Sequence, residues 1–140
     1  MSTVEENSHC RNRRPLVLVV DDYQDGREMC AECLSICGFG VAQAENGFEA
    51  LEKATALHPD LILMDLSLPG LDGWEVTRRL KRDARTCTIP VIALTAHALC
   101  GDADRARQAG CDAFMTKPCL PDALVEEVRR MLESAPGQRV

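Results

Sequence analysis

Apolar residues fall along this chain in short unbroken runs separated by longer amphipathic stretches. Leu16-Val17-Leu18-Val19-Val20, Leu61-Ile62-Leu63-Met64 and Pro90-Val91-Ile92-Ala93-Leu94 contain no polar alternation, the pattern of strands buried on both faces of a parallel sheet. Val41-Ala42-Gln43-Ala44 and Asp112-Ala113-Phe114-Met115 are weaker runs of the same kind. Between the runs the apolar period lengthens to that of helices. One helix is expected from about Gln24 to Cys37, closed by Gly38, with Cys30, Cys33, Leu34 and Cys37 on its apolar face. A second is capped by Asn46 and carried by Phe48, Leu51, Ala54 and Leu57 to a stop at Pro59. A third runs from about Gly73 with Trp74, Val76 and Leu80 as its apolar positions. A more polar fourth covers roughly Leu99 to Gln108 and stops at Gly110, and the last carries Leu124, Val125, Val128 and Leu132. Strict alternation of strand and helix predicts an α/β fold, a parallel sheet with helices on both faces and right-handed crossovers.

The strand ends carry the chemistry. In open parallel sheets ligands bind outside the carboxyl ends of the strands, where strand order reverses. Asp21-Asp22 follows the first strand, Asp65 closes the third, Thr95-Ala96 the fourth and Thr116-Lys117-Pro118 the fifth. Asp65 ends a run buried on both faces, where a carboxylate is costly unless something compensates it. Pro69-Gly70 then breaks the chain into a loop. Three converging carboxylates repel one another, and a shared hard divalent cation such as Mg²⁺ suits their oxygens. The hydroxyl and ammonium then face an anion that the cation also touches, and a phosphoryl group fits. A carboxylate can itself be the nucleophile. Asp65, central among the others, is the natural acceptor.

Composition narrows the partners. The chain has 140 residues, 46% hydrophobic and 27% charged, enough for one domain with its own core. A formal net charge of −6 argues against a nucleic-acid surface. No apolar stretch approaches the roughly 20 residues of a membrane span. Met1-Ser2-Thr3-Val4-Glu5-Glu6 is acidic without an apolar run, so no signal peptide is expected and a soluble, cytoplasmic protein is. Residues 1–14, ending Arg11-Asn12-Arg13-Arg14, read as a disordered tail, 15–133 as the domain and 134–140 as a frayed end. Eight cysteines are expected to fill core space as small hydrophobes. Cys30-x-x-Cys33 sits well inside its helix, away from the N-terminus that would lower a thiol pKa, and zinc lacks a second ligand pair.

The ordered set Asp21-Asp22, Asp65, Thr95-Ala96 and Lys117-Pro118 resembles the signature of the receiver domain of two-component response regulators, over about residues 15 to 133. The resemblance implies a flavodoxin-like, doubly wound sheet of five strands in the order 2-1-3-4-5. It implies that Asp65 takes a phosphoryl group from a phosphohistidine on a sensor histidine kinase or histidine phosphotransfer protein. Asp22 and Asp65 would ligate Mg²⁺ directly with the backbone carbonyl of Ser67, and Asp21 mostly through water. Lys117 would pair with one phosphoryl oxygen and Thr95 would donate its hydroxyl to another. The Lys117-Pro118 peptide would be cis. Thr95 moving towards the phosphoryl group would let Phe114 turn inward, changing the surface of the last two helices and the strand between them. That surface would dock on a downstream protein. Ser67 and His97 occupy positions that tune phosphoryl lifetime in the family. Cys119 departs from it, standing where a larger apolar residue is common. The protein would not be an enzyme beyond its own phosphorylation and dephosphorylation, and a stand-alone receiver is expected.

Two alternatives compete. A phosphorylation-independent binding module of the same fold would normally lack one of the acidic or lysine residues, and all are present. A hydrolase of the aspartyl-phosphate type would need an Asp-x-Asp turn after the first strand, which Asp21-Asp22-Tyr23-Gln24 does not supply.

Overall fold

The computed structural model describes residues 14–95, 102–117 and 121–133. The expectations for both termini, the start of the fourth helix, Ala96, His97, Pro118 and Cys119 lie outside them. Strands β1 (Leu16–Val20), β2 (Gly40–Ala44), β3 (Leu61–Asp65), β4 (Val91–Thr95) and β5 (Ala113–Thr116) alternate with helices α1 (Gln24–Ile36), α2 (Gly47–Leu57), α3 (Gly73–Arg82), α4 (Asp102–Ala109) and α5 (Pro121–Glu133). The strands form one parallel sheet in the order β2-β1-β3-β4-β5. Strand order therefore reverses between β1 and β3. Val20 lies opposite Met64, and Asp65 opposite Leu94. The three central strands thus end nearly level, and whatever follows them meets at one edge.

Every residue of β3 and β4 is buried, which explains their unbroken apolar runs. Alternate side chains enter opposite layers. In one, Leu18, Val20, Ile62, Met64 and Ala93 pack with Ala50 and Ala54 of α2, Val76 and Leu80 of α3, and Cys111. In the other, Val17, Val19, Leu61, Leu63, Ile92 and Leu94 pack with Leu34 of α1 and Leu124, Val125 and Val128 of α5. The caps are read from short polar side chains. Asn46 accepts the Glu49 N–H at 2.8 Å, and Asp72 accepts that of Glu75 at 2.9 Å.

Three apolar assignments change. Phe48 and Leu57 are 61% and 47% exposed, because α2 faces the sheet with Ala50 and Ala54. Phe48, two residues before Ala50, falls on the opposite side of the helix. Leu57 is the last helical residue and has helix neighbours on one side only. Cys37 lies past α1 as its C-cap and is exposed, while Cys30 and Cys33 are half-buried and Cys111 is buried. None of these thiols, nor Cys87, is in a disulfide. Core filling therefore describes Cys111 well, Cys30 and Cys33 in part, and Cys37 not at all.

Candidate functional site

Each strand end delivers its residue by a backbone device. The Asp21 N–H donates to the Ala44 carbonyl at 3.1 Å, extending the β1–β2 ladder one residue beyond the strand. One Asp21 carboxylate oxygen accepts the Tyr23 N–H at 3.0 Å. Arg27, in the first turn of α1, holds the Asp21 carbonyl at 2.9 Å and the Gln43 side chain at 3.0 Å. Asp65 is kept extended by the next residue, whose N–H donates to Leu94 O at 3.0 Å. The Asp65 Oδ1 accepts the Ser67 N–H at 3.0 Å. The Lys117 main-chain N–H donates to the Thr95 carbonyl at 2.6 Å, pinning the end of β5 to that of β4.

These devices bring Asp21, Asp22 and Asp65 together, with carboxylate oxygens all within 4.8 Å of one another. Asp21 and Asp65 are buried and Asp22 is exposed. Lys117 Nζ reaches across them, 2.7 Å from Asp21 and 3.4 Å from Asp65. Three carboxylates face one ammonium. Burial pushes the Asp65 carboxyl above its ordinary range, and the neighbouring Asp21 adds to this. The Ser67 N–H and Lys117 oppose the rise without cancelling it. For Lys117 burial works against the charge, yet its bonds to Asp21 and Asp65 outweigh it and hold the ammonium above its ordinary value.

The donor set is hard oxygen throughout and carries excess negative charge. It therefore fits Mg²⁺, which prefers carboxylate and water ligands. Among the described residues it is the one cluster that meets the geometry of a metal site. No described helix is long and apolar enough to cross a membrane.

Of the other residues singled out by sequence, Thr95 is buried at the end of β4, opposite Thr116. Ser67 contributes its N–H to Asp65 while remaining exposed. Phe114 sits on β5 opposite Ala93, half-buried against the α2–α3 layer. His97 lies outside the described residues. Sequence reasoning missed two things. Lys117 makes its shorter contact with Asp21 rather than Asp65, and Arg27 buttresses the Asp21 backbone. The only hint of Arg27 was a cation in the helical turn after the acidic pair.

A doubly wound sheet whose switch-point edge holds an acidic pocket crossed by a lysine defines a class of phosphoryl-handling α/β protein. A model of the response regulator receiver domain matches residues 17–129, and the chain belongs to that family. It is 40% identical over 119 residues to the polar-differentiation response regulator DivK of Brucella ovis, covering 85% of this chain and 97% of that one. Among solved structures, a response regulator from Chloroflexus aurantiacus shares 32% identity at a TM-score of 0.82, covering 86% of this chain and 98% of that one. The chemotaxis protein CheY4 of Vibrio cholerae shares 27% at 0.80, covering 84% and 98%. The fold is thus flavodoxin-like, and the family role is that of a phosphoacceptor in two-component signalling.

Proposed function

We propose that the protein accepts a phosphoryl group on Asp65 from a phosphohistidine of a sensor histidine kinase or histidine phosphotransfer protein, and so switches a surface that binds a downstream protein. The observation that carries this is the buried Asp65 carboxylate beside a lysine that is outnumbered by carboxylates. An Asp65 carboxylate oxygen attacks phosphorus, the N–P bond breaks, and its electron pair stays on the imidazole nitrogen. The Lys117 ammonium, already within 3.4 Å of Asp65, shifts its contact to a phosphoryl oxygen, and the Thr95 hydroxyl donates to another. Asp22, Asp65 and the Ser67 carbonyl would hold Mg²⁺, with Asp21 acting through water. When bound, the ion neutralises charge on the phosphoryl oxygens.

The readout follows from the added charge of about −1.5 to −2. Thr95 drawn towards the phosphoryl group frees space for Phe114, which reports by packing alone because it has no hydroxyl. The surface that changes is α4, β5 and α5. Ser67 and His97 tune phosphoryl lifetime, His97 through access of the hydrolytic water, and the protein turns over nothing but its own phosphoryl group. We place it in the cytoplasm, where phosphohistidine donors are made from ATP.

Incubation with Mg²⁺ and acetyl phosphate, followed by intact mass, tests this beside Asp65→Asn. A gain of one phosphoryl group by the unsubstituted protein alone supports the acceptor. If neither acetyl phosphate nor beryllofluoride changes the protein, the phosphorylation-independent binding module becomes the better account.

A further inference from the structure

The loop that carries Ser67 links β3 to α3, and two helix starts press against it. Leu66 and Leu68 are buried on either side of the exposed Ser67. At one end, Gly73 is the first residue of α3 and is buried. A Cβ there would overlap the Asp65 carbonyl oxygen and lie 2.8 Å from Leu66 Cα. Both obstacles are backbone, so no side chain can rotate aside. The Gly73 N–H donates to the Leu66 carbonyl at 3.4 Å, which ties the helix start to the residue that follows the strand. Further along the loop, Gly47, the buried first residue of α2, stands in the same relation to Leu71. A Cβ at Gly47 would come within 2.6 Å of Leu71 O and 2.6 Å of Val76 Cγ2.

Neither glycine has a positive φ. Gly70, inside the loop, does, at 74°. Gly70 therefore supplies a turn that side chains resist, whereas Gly47 and Gly73 supply nothing but closeness. That closeness fixes the height of the loop at two points, and the Ser67 N–H on Asp65 lies in that loop.

We propose that Gly73 and Gly47 are positioning residues of the phosphoryl site, two points of backbone contact that seat the 66–72 loop so that Ser67 meets Asp65. The proposal rests on the acceptor role of Asp65 given above. It places Gly47, on a helix that contributes no polar group to the pocket, in control of the pocket's geometry. Substituting either glycine lifts the loop away from Asp65 without altering a charged or hydrogen-bonding side chain.

The experiment measures phosphorylation by acetyl phosphate against Mg²⁺ concentration for the full chain and for Gly73→Ala, Gly47→Ala, Gly40→Ala and Val128→Ala, each with its Tm. Phosphorylation of the unsubstituted protein must be seen first; its failure would sink the acceptor reading, and with it the positioning role built on that reading. With it in place, Gly73→Ala should raise the half-saturating Mg²⁺ concentration about tenfold and slow the maximal rate by about tenfold or more, since displacements near 1 Å can cost about 10²-fold. Gly47→Ala should do the same to a smaller extent. Gly40→Ala, whose Cβ would meet only ordinary contacts from 3.6 Å outward, should behave as the parent. Val128→Ala, in the opposite core layer, should lower Tm yet leave half-saturation unchanged. Parent-like half-saturation and rate in a folded Gly73→Ala protein overturns the proposal, as does an equal shift in Val128→Ala. If Gly73→Ala does not fold, parent-like values for Gly47→Ala overturn it on their own.

Discussion

Two lysines in this molecule each hold an aspartate, and they are built for opposite ends. Lys81, on α3, lies 2.9 Å from Asp112 and also donates to the Ile89 carbonyl at 2.8 Å. The same Asp112 oxygen accepts the Val91 N–H at 2.8 Å. One ammonium meets one carboxylate, and neutral backbone groups complete the set, so the knot ties α3 to the beginnings of β4 and β5 and asks for no ligand. Lys117, at the other end of the sheet, lies 2.7 Å from Asp21 and 3.4 Å from Asp65, with Asp22 close by. Its charge is outnumbered. The distances are alike, so an ion pair's length does not tell structure from function; the charge left over does.

The largest way to break the comparison is to exchange the two lysines' fates. Lys117→Met should slow phosphorylation by acetyl phosphate about 10²-fold, the usual cost of one electrostatic contact to a transferring group, while Lys81→Met should leave the rate within about twofold. Initial rates from intact mass decide it, and equal slowing by both variants would erase the distinction.

Mg²⁺ sharpens the contrast next. An excess of carboxylates should make the unsubstituted protein more stable in the ion, by about 2.7 kcal/mol at a hundredfold excess over Kd, with the gain removed by EDTA. Denaturant titration should show no such gain in Asp65→Asn. The Lys81 knot predicts a smaller, ion-independent effect. Lys81→Met should cost about 1–2 kcal/mol, discounted because Asp112 is partly open to solvent, and the cost should be the same with and without Mg²⁺.

The smallest effect has a sign set first by the burial of Asp65, with the neighbouring Asp21 adding to it. The folded protein holds the Asp65 carboxyl above its ordinary value of 3.8, so the native state binds the proton more tightly than the unfolded chain. Below the unfolded value both states are protonated and Asp65 contributes nothing. As pH rises from there through the folded value, stability is lost. In the absence of Mg²⁺, Asp65→Asn should therefore stabilise the protein at pH 7, on the order of 1 kcal/mol, and the advantage should shrink as pH falls towards 4. A variant less stable than the parent at pH 7 would contradict the repulsive pocket.

Much of this was legible in the chain. The runs ending in Asp65 and Thr95 are buried on both faces, and parallel pairing then forces their ends together with Asp21 and Lys117. Asn46 announced its helix because an N-cap is a local bond. Phe48, Leu57 and Cys37 were misassigned because periodicity gives an apolar stripe but not which small residues, here Ala50 and Ala54, face the sheet. Arg27, the Lys117–Asp21 contact and the two close-packed glycines were illegible for a common reason. Each depends on how near two elements approach, and no pattern of side chains along one element encodes that distance.

Trp74 is the only tryptophan in the chain, and it follows Gly73 at the start of α3, half-buried with the Arg105 guanidinium of α4 at 4.4 Å from its ring. The tryptophan emission of this protein therefore has a single source, set between the loop beside Asp65 and a helix of the proposed output surface. A shift of either element alters the polarity and the cation seen by one indole, so the wavelength and lifetime of its fluorescence would follow the proposed switch without a label.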